Sequence, residues 1–360
     1  MCERGGTQMK KLSIPKLSIR KKKDEAPSRI TNETVAEHRE RVIAGGRRFK
    51  YPLQYAKHKL VINTVVISTT AIILLIAFGW WQLYVAQNTS TFFYRVTQVL
   101  ALPVGSIDNT AVRYSDYLLY YRPSEYYLNN YDEVSAASVD GKTQLEYKKR
   151  DAMDRAILDA YARKLARDMD IAVSEEEVDT EVAALRQADN GTISEESVNS
   201  AAQQVFGATA QDTRSQYRNS LLRSKVSFAV DDDARELSDD VQSMIDGGKS
   251  LKDIAAAINK EQEGAVQYGT SGLLSKALAL NGVRVGEIAA VKKGTISGAF
   301  MSSTDDGYLF TRVTDLNDTE ANFEFVHVPL TAFRNMVQTL KDSGDVHEYI
   351  TIDPEQYIDQ

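Results

Sequence analysis

Cysteine occurs once in the 360 residues, as Cys2, and histidine four times, as His38, His58, His327 and His347. The first scarcity removes disulfides and thiol chemistry from everything beyond the N-terminal tail, which must fold on an apolar core alone. In the second, no two histidines stand at ligand spacing and no cysteine supports them, so no metal site is expected. A glycine-rich phosphate loop, a G-x-S-x-G turn and a carboxylate pair in a distinctive context are also missing, so neither a cofactor nor a small-molecule substrate is expected. Charge is absent altogether from Leu60 to Tyr94.

What is present belongs to a folded protein: 43% hydrophobic and 26% charged residues, with room for two domains and tails. The net charge of −7 hides an asymmetry. Residues 1–59 carry 16 Lys+Arg against 6 Asp+Glu, about +10, and the remainder carries 27 against 44, about −17. Two surroundings are implied.

The uncharged stretch explains the division. Leu60 to Gly79 gives 20 mostly apolar positions, about the length that crosses the hydrocarbon layer. Trp80, Trp81 and Tyr84 follow, as amphipathic rings do at a membrane–water boundary, and Arg47, Arg48, Lys50, Lys57 and Lys59 precede it. A cleaved signal peptide would be shorter and end in small residues, and a buried soluble helix would not carry these flanks. The expectation is an uncleaved single-pass anchor over 60–85 in the cell membrane, contacting lipid, with the N-terminus cytoplasmic and the acidic body outside. Residues 1–59 read as a basic, disordered cytoplasmic tail resting near anionic head groups. No aromatic platform accompanies the basic run, so no nucleic acid is expected.

Beyond the anchor, Val104–Ile107 and Ala111–Arg113 read as strands around the turn formers Asp108 and Asn109. Ser115 is expected to cap a helix that Pro123 ends or interrupts, and a Tyr-, Asn- and Ser-rich loop follows. A long amphipathic helix is expected over Gln144–Met169, and capping pairs Ser174/Glu177, Thr192/Glu195 and Thr209/Asp212 open three more.

"VGSIDNTAVRYSDYLLYYR", "KKRDAMDRAILDAYARKLARDMDIAVSEEEVDTEV" and "FGATAQDTRSQYRNSLLRSKV" resemble, in order, the N-terminal domain of SurA/PrsA-type extracytoplasmic chaperones. The resemblance implies an all-α chaperone domain over 86–230 that cradles unfolded or nascent exported polypeptides. Tyr117, Tyr120 and Tyr121 are its client-binding candidates; the competing reading makes them core, and is favoured for two of the three.

Then "KVSFAV" reads as a strand, "ARELSDDVQSMIDGG" and "SLKDIAAAI" as helices, and "GYLFTRV" as a closing strand. The order resembles parvulin, the small proline isomerase, over 226–315. The positions of the family's two inward histidines fall on Ser227 and Leu309, and its apolar proline pocket falls near Ala279 and Val283–Val285, without Phe or Met. Serine and leucine do not replace a ring network, so the resemblance implies a degenerate domain with weak or no isomerase activity and no confident catalytic residue. Residues 316–360 read as a strand–helix extension that either begins a second copy or adds a strand to the sheet. Within it Val326-His327-Val328 resembles the family's first strand. The expected class is α+β: one N-terminal transmembrane helix, the all-α SurA-like domain and the small parvulin-like α/β domain. A membrane-anchored chaperone is the leading expectation. An active peptidyl-prolyl isomerase and an envelope-assembly subunit are the alternatives.

Overall fold

The computed structural model describes residues 31–50, 54–132, 138–188 and 191–352. The fold is α+β and divides into two compact units, Met1–Ile76 and Ala77–Gln360. In the first, residues expected to be disordered form a helix, α1 (Asn32–Lys50), opened by the Thr31 hydroxyl accepting from the Thr34 amide at 3.4 Å. Cys2 and residues 1–30 lie outside the described residues. The next helix, α2 (Gln54–Trp80), passes into the second unit and ends in a π-helical turn, Trp81–Val85. Its apolar stretch, Lys59–Val85, is long and apolar enough to cross a membrane; its most apolar part is not buried against protein, whereas Leu83 near its end enters the core.

The second unit begins with α3 (Thr91–Leu100) and a hairpin, β1 (Pro103–Ile107) and β2 (Thr110–Arg113). Asp108 and Asn109 both take positive φ, as a two-residue turn matched to strand twist requires. The helix α4 (Tyr114–Asn130) starts one residue before Ser115 and has no side-chain cap. It also runs through Pro123, so the expected loop begins as helix. Proline cannot donate to the Leu119 carbonyl, and the Gln216 amide does so instead at 3.1 Å. The helices α5 (Val139–Asp168) and α6 (Glu175–Ala184) follow, the latter with the Ser174–Glu177 capping box in place. A minimal hairpin, β3 (Gln187–Ala188) and β4 (Gly191–Thr192), takes up Thr192, so the cap of α7 (Glu195–Phe206) is Ser194.

The capping box Thr209–Asp212 opens α8 (Ala210–Val230), which corrects the expected strand at 226–230. Val226, Phe228 and Val230 alternate like a strand, yet Ser224 and Val226 to Phe228 are all buried. A helix end wedged between two cores buries every side and loses its 3.6-residue signature. Val226 belongs to the helical core, and the Phe228 ring meets Tyr308 of the sheet part edge-on at 4.9 Å. Two helices follow, α9 (Asp232–Asp246), ended at Gly247, and α10 (Leu251–Glu261), capped by Ser250.

A sheet with short attachments completes the unit: β5 (Gln267–Thr270), β6 (Leu274–Ser275), a hairpin of β7 (Ala279–Leu280) and β8 (Val283–Arg284), α11 (Val285–Ala289), β9 (Phe300–Met301), β10 (Gly307–Leu316) and β11 (Glu320–Pro329). The main order is β5-β11-β10-β9, antiparallel throughout, with β6 also on β11. One face packs on α9 and α10 through Tyr308, Phe310, Val326 and Val328. The other gathers Leu309, Val313 and Phe323 against Val283, Val285 and Ile288.

Residues 316–352 are therefore not an appendage. The strand β11 sits between β5 and β10, as the second of the two sequence expectations had it. The helix α12 (Ala332–Asp342) and β12 (Val346–Glu348) return to the helical part. There β12 pairs with β1, and Phe333, Val337, Ile350 and Ile352 enter the same core as Ile107 and Ile157. Buried Asp231 joins the parts: one oxygen caps α9 through the Ala234 amide at 3.0 Å. The other accepts from the Thr331 and Ala332 amides, at 2.6 and 2.9 Å, where α12 begins.

Candidate functional site

The sheet face that was expected to carry a proline pocket is a packed core. Leu309 is fully buried among Val283, Val285, Ile288 and Phe323, while Ala279 lies exposed on β7. Ser227, the other expected position, is on α8 and contributes nothing to this face; its hydroxyl is buried with no described partner. Asn259 is also structural, its side chain bonding both the amide and the carbonyl of Val266. One histidine does reach the sheet: His327 on β11 pairs in register with Leu309. Its Nε2 lies 3.2 Å from the Asp306 carbonyl oxygen, and Nδ1 has no described partner. Burial holds this imidazole below its ordinary pKa, with the Asp306 carbonyl pulling the other way.

The open surfaces lie on the helical part. Tyr117 and Tyr121 are buried and stack on each other at 5.7 Å, so neither offers a ring to a partner. Tyr120 points the other way on α4 and lines two adjoining cavities of 590 and 710 Å³. Arg155 and Gln216 also line both, so the two cavities adjoin at these three residues, and the pair is called the groove. At one end Tyr127 and Phe206 enter the groove wall, their rings 5.9 Å apart, and Tyr131 stacks on Tyr127 at 6.0 Å. Tyr127, Tyr131 and Phe206 are each more than 40% exposed, which is unusual for three rings in contact. Gly207, at φ +62, lets the chain turn beneath Tyr126; a Cβ there would come within 2.9 Å of that ring.

The other end of the groove has an ionic floor. Arg223 donates to Asp159 at 2.6 Å and to Asp305 at 3.1 Å, and Arg334 reaches Asp305 at 3.3 Å. The Tyr120 hydroxyl donates to Asp159 at 2.5 Å. Burial, then the Asp159 carboxylate, push that hydroxyl up, so it remains a donor. Burial works against Arg223, but the two carboxylates outweigh it and raise its pKa. Asp159, Arg223, Asp305 and Arg334 thus form one chain of alternating charge at this end. The arrangement suits binding of an extended chain by ring stacking and backbone hydrogen bonds.

At the membrane-like helix, Trp80 and Trp81 are exposed as expected. Tyr84 is not: it is partly buried, packs edge-on against Tyr114 at 5.8 Å and donates to the Pro103 carbonyl at 2.6 Å. Among the described residues no cluster of His, Cys, Asp and Glu has the geometry to hold a metal ion.

No family model matches the chain, and neither the curated proteins nor the solved structures contain a match. Sequence reasoning missed Tyr127 and Tyr131 because their segment reads as loop, and Phe206 because its ring partner is distant in the chain. The available signal was the four-residue step from Tyr127 to Tyr131, which stacks rings only on a helix.

Proposed function

We propose that this protein is a membrane-anchored chaperone that holds unfolded exported polypeptides by contact. The observation that carries the reading is the exposed stack of Tyr127, Tyr131 and Phe206 at the mouth of the groove that runs past Tyr120. Rings of this kind bind many sequences, because any extended segment with apolar side chains can lie across them. The SurA/PrsA-like order of elements in 86–230 supports the same reading, as does the exposed apolar helix with its basic N-terminal flank. In this reading the N-terminus is cytoplasmic and the unit beginning near Ala77 is extracytoplasmic.

The parvulin-like part then works as a scaffold. Its sheet face is filled by Leu309 and its neighbours, which leaves no room for a proline ring. An isomerase is the second reading, and His327 beside Leu309 is the observation in its favour. An envelope-assembly subunit is the third.

Full-length protein in lipid nanodiscs, mixed with several chemically unfolded clients, separates these readings. Suppression of light scattering at near-equimolar ratio is expected, with proline-peptide isomerisation at the uncatalysed rate. Failure to protect any client would end the chaperone reading. Isomerisation above background that disappears on replacing His327 would establish the second. Crosslinking in cells to one protein instead of many would establish the third.

A further inference from the structure

The helix α3 shows two unlike faces. Inward, Tyr94 and Thr97 are buried, and Phe93 packs on the helical core. That face is held firmly: the Tyr94 hydroxyl donates to Asp212 at 2.7 Å, and Arg122 lies over the Tyr94 ring at 4.6 Å. The first turn is tied down as well, because Arg122 donates to the Thr89 carbonyl and to the Thr91 hydroxyl, each at 2.8 Å. Outward, Phe92, Val99 and Leu100 are 69, 83 and 60% exposed. Positions 92, 96, 99 and 100 share one side of a helix, so these residues and the half-buried Val96 make a single apolar stripe. Arg95, on the same side, is the first charged residue after Lys59.

The position of this stripe in the chain identifies what covers it. Only Ala86–Ser90 separate α3 from the end of the apolar helix, and five residues span no more than about 17 Å. The connector is shorter than that in the fold: the Asn88 amide donates to the Gln82 carbonyl at 2.8 Å, and its side chain reaches Gln82 Oε1 at 2.9 Å. Trp80, Trp81 and Val85, exposed at the end of that helix, therefore lie close to a rigid second helix that also exposes apolar side chains.

We infer that the outward face of α3 lies in the outer membrane–water interface, with Phe92, Val96, Val99 and Leu100 among the upper acyl chains and Arg95 at the phosphates. The inference rests on the membrane reading above and adds a second contact to it. An amphipathic helix of this kind buries its apolar side about 5–10 Å into the headgroup boundary, and an arginine there reaches the phosphates while its stem stays apolar. Two contacts, one spanning and one lying flat, fix the body's orientation on the bilayer, whereas a single span would leave it free to swing.

The test uses the full chain with Cys2→Ser, reconstituted in phosphatidylcholine–phosphatidylglycerol nanodiscs carrying doxyl-labelled lipid. An environment-sensitive fluorophore is placed singly at Ile73→Cys, Val99→Cys or Leu273→Cys, the last on an exposed loop of the sheet part. Shallow doxyl lipid is expected to quench the probe at 99 severalfold more than the probe at 273, and deep doxyl lipid to quench the probe at 73. The double variant Val99→Glu/Leu100→Glu changes only exposed positions, and with the probe at Phe92→Cys it should lose the quenching. If the probe at 99 is as wet as that at 273 while 73 is quenched, the inference fails and the membrane reading stands. If 73 is unquenched, both fail. If 99 is dry, unquenched by lipid, and transfers energy between copies, a second copy covers the face and the inference is overturned.

Discussion

His327 stands directly opposite Leu309 across the central pair of strands, one ring and one aliphatic chain on the same face of the sheet. Leu309 packs into an apolar cluster there, and one imidazole nitrogen of His327 is left without a described partner.

Replacing Leu309 by alanine should therefore report on stability alone. A fully buried leucine that closes the cluster with Val283, Ile288 and Phe323 leaves a cavity when truncated. A loss of about 2–5 kcal/mol is expected from urea unfolding, with an unchanged slope. Proline-peptide isomerisation should stay at background before and after the change.

Acid should weaken the fold through His327. Its folded pKa is lowered by burial, so the unfolded chain takes up the proton first as pH falls. The contribution of the neutral ring is complete above the unfolded value of about 6.5 and disappears as pH falls toward the folded one. The urea midpoint should drop between about pH 7 and pH 5, and His327→Gln should flatten that slope. A slope unchanged in the variant would locate the acid sensitivity elsewhere.

Arg223 holds Asp159, which is only 1% exposed. Arg223→Met leaves that carboxylate buried without its cation and should cost about 3–5 kcal/mol. Adding Asp159→Asn should restore a measurable part of the loss, because the uncompensated charge goes with it. Thermal melts of the single and double variants make the comparison.

The tyrosines of α4 should divide into two classes. Tyr117→Ala or Tyr121→Ala removes a stacked core ring and should destabilise by about 3–5 kcal/mol. Tyr127→Ala with Phe206→Ala removes exposed rings, so stability should move by less than about 1 kcal/mol. Protection of unfolded clients should fall severalfold in the second pair at unchanged melting temperature. Equal protection by that variant would take the groove out of the proposed function.

Much of the chain was legible where its signals are local. The capping boxes at Ser174 and Thr209, the stop at Gly247 and Gly248, the hairpin at Asp108–Asn109 and the strand carrying Leu309 all depend on neighbours a few residues away. What could not be read depends on distant partners. The passage of α4 through Pro123 relies on Gln216, 97 residues from the carbonyl it satisfies. The end of α8 reads as a strand because cores on both sides bury it, and no short window shows that. The aromatic stack was hidden for the same reason, since Phe206 meets Tyr127 only once α4 and α7 are folded together.

The return of β12 to β1 has a consequence for how the polypeptide is made. Synthesis proceeds from the N-terminus, so residues 91–230 are made before the C-terminal segment, yet their core lacks Phe333, Val337, Ile350 and Ile352 until then. Until position 352 has followed, the β1 edge is bare and the interior is open. The helical part therefore cannot close its core as the chain is made, and its folding waits for nearly the whole polypeptide.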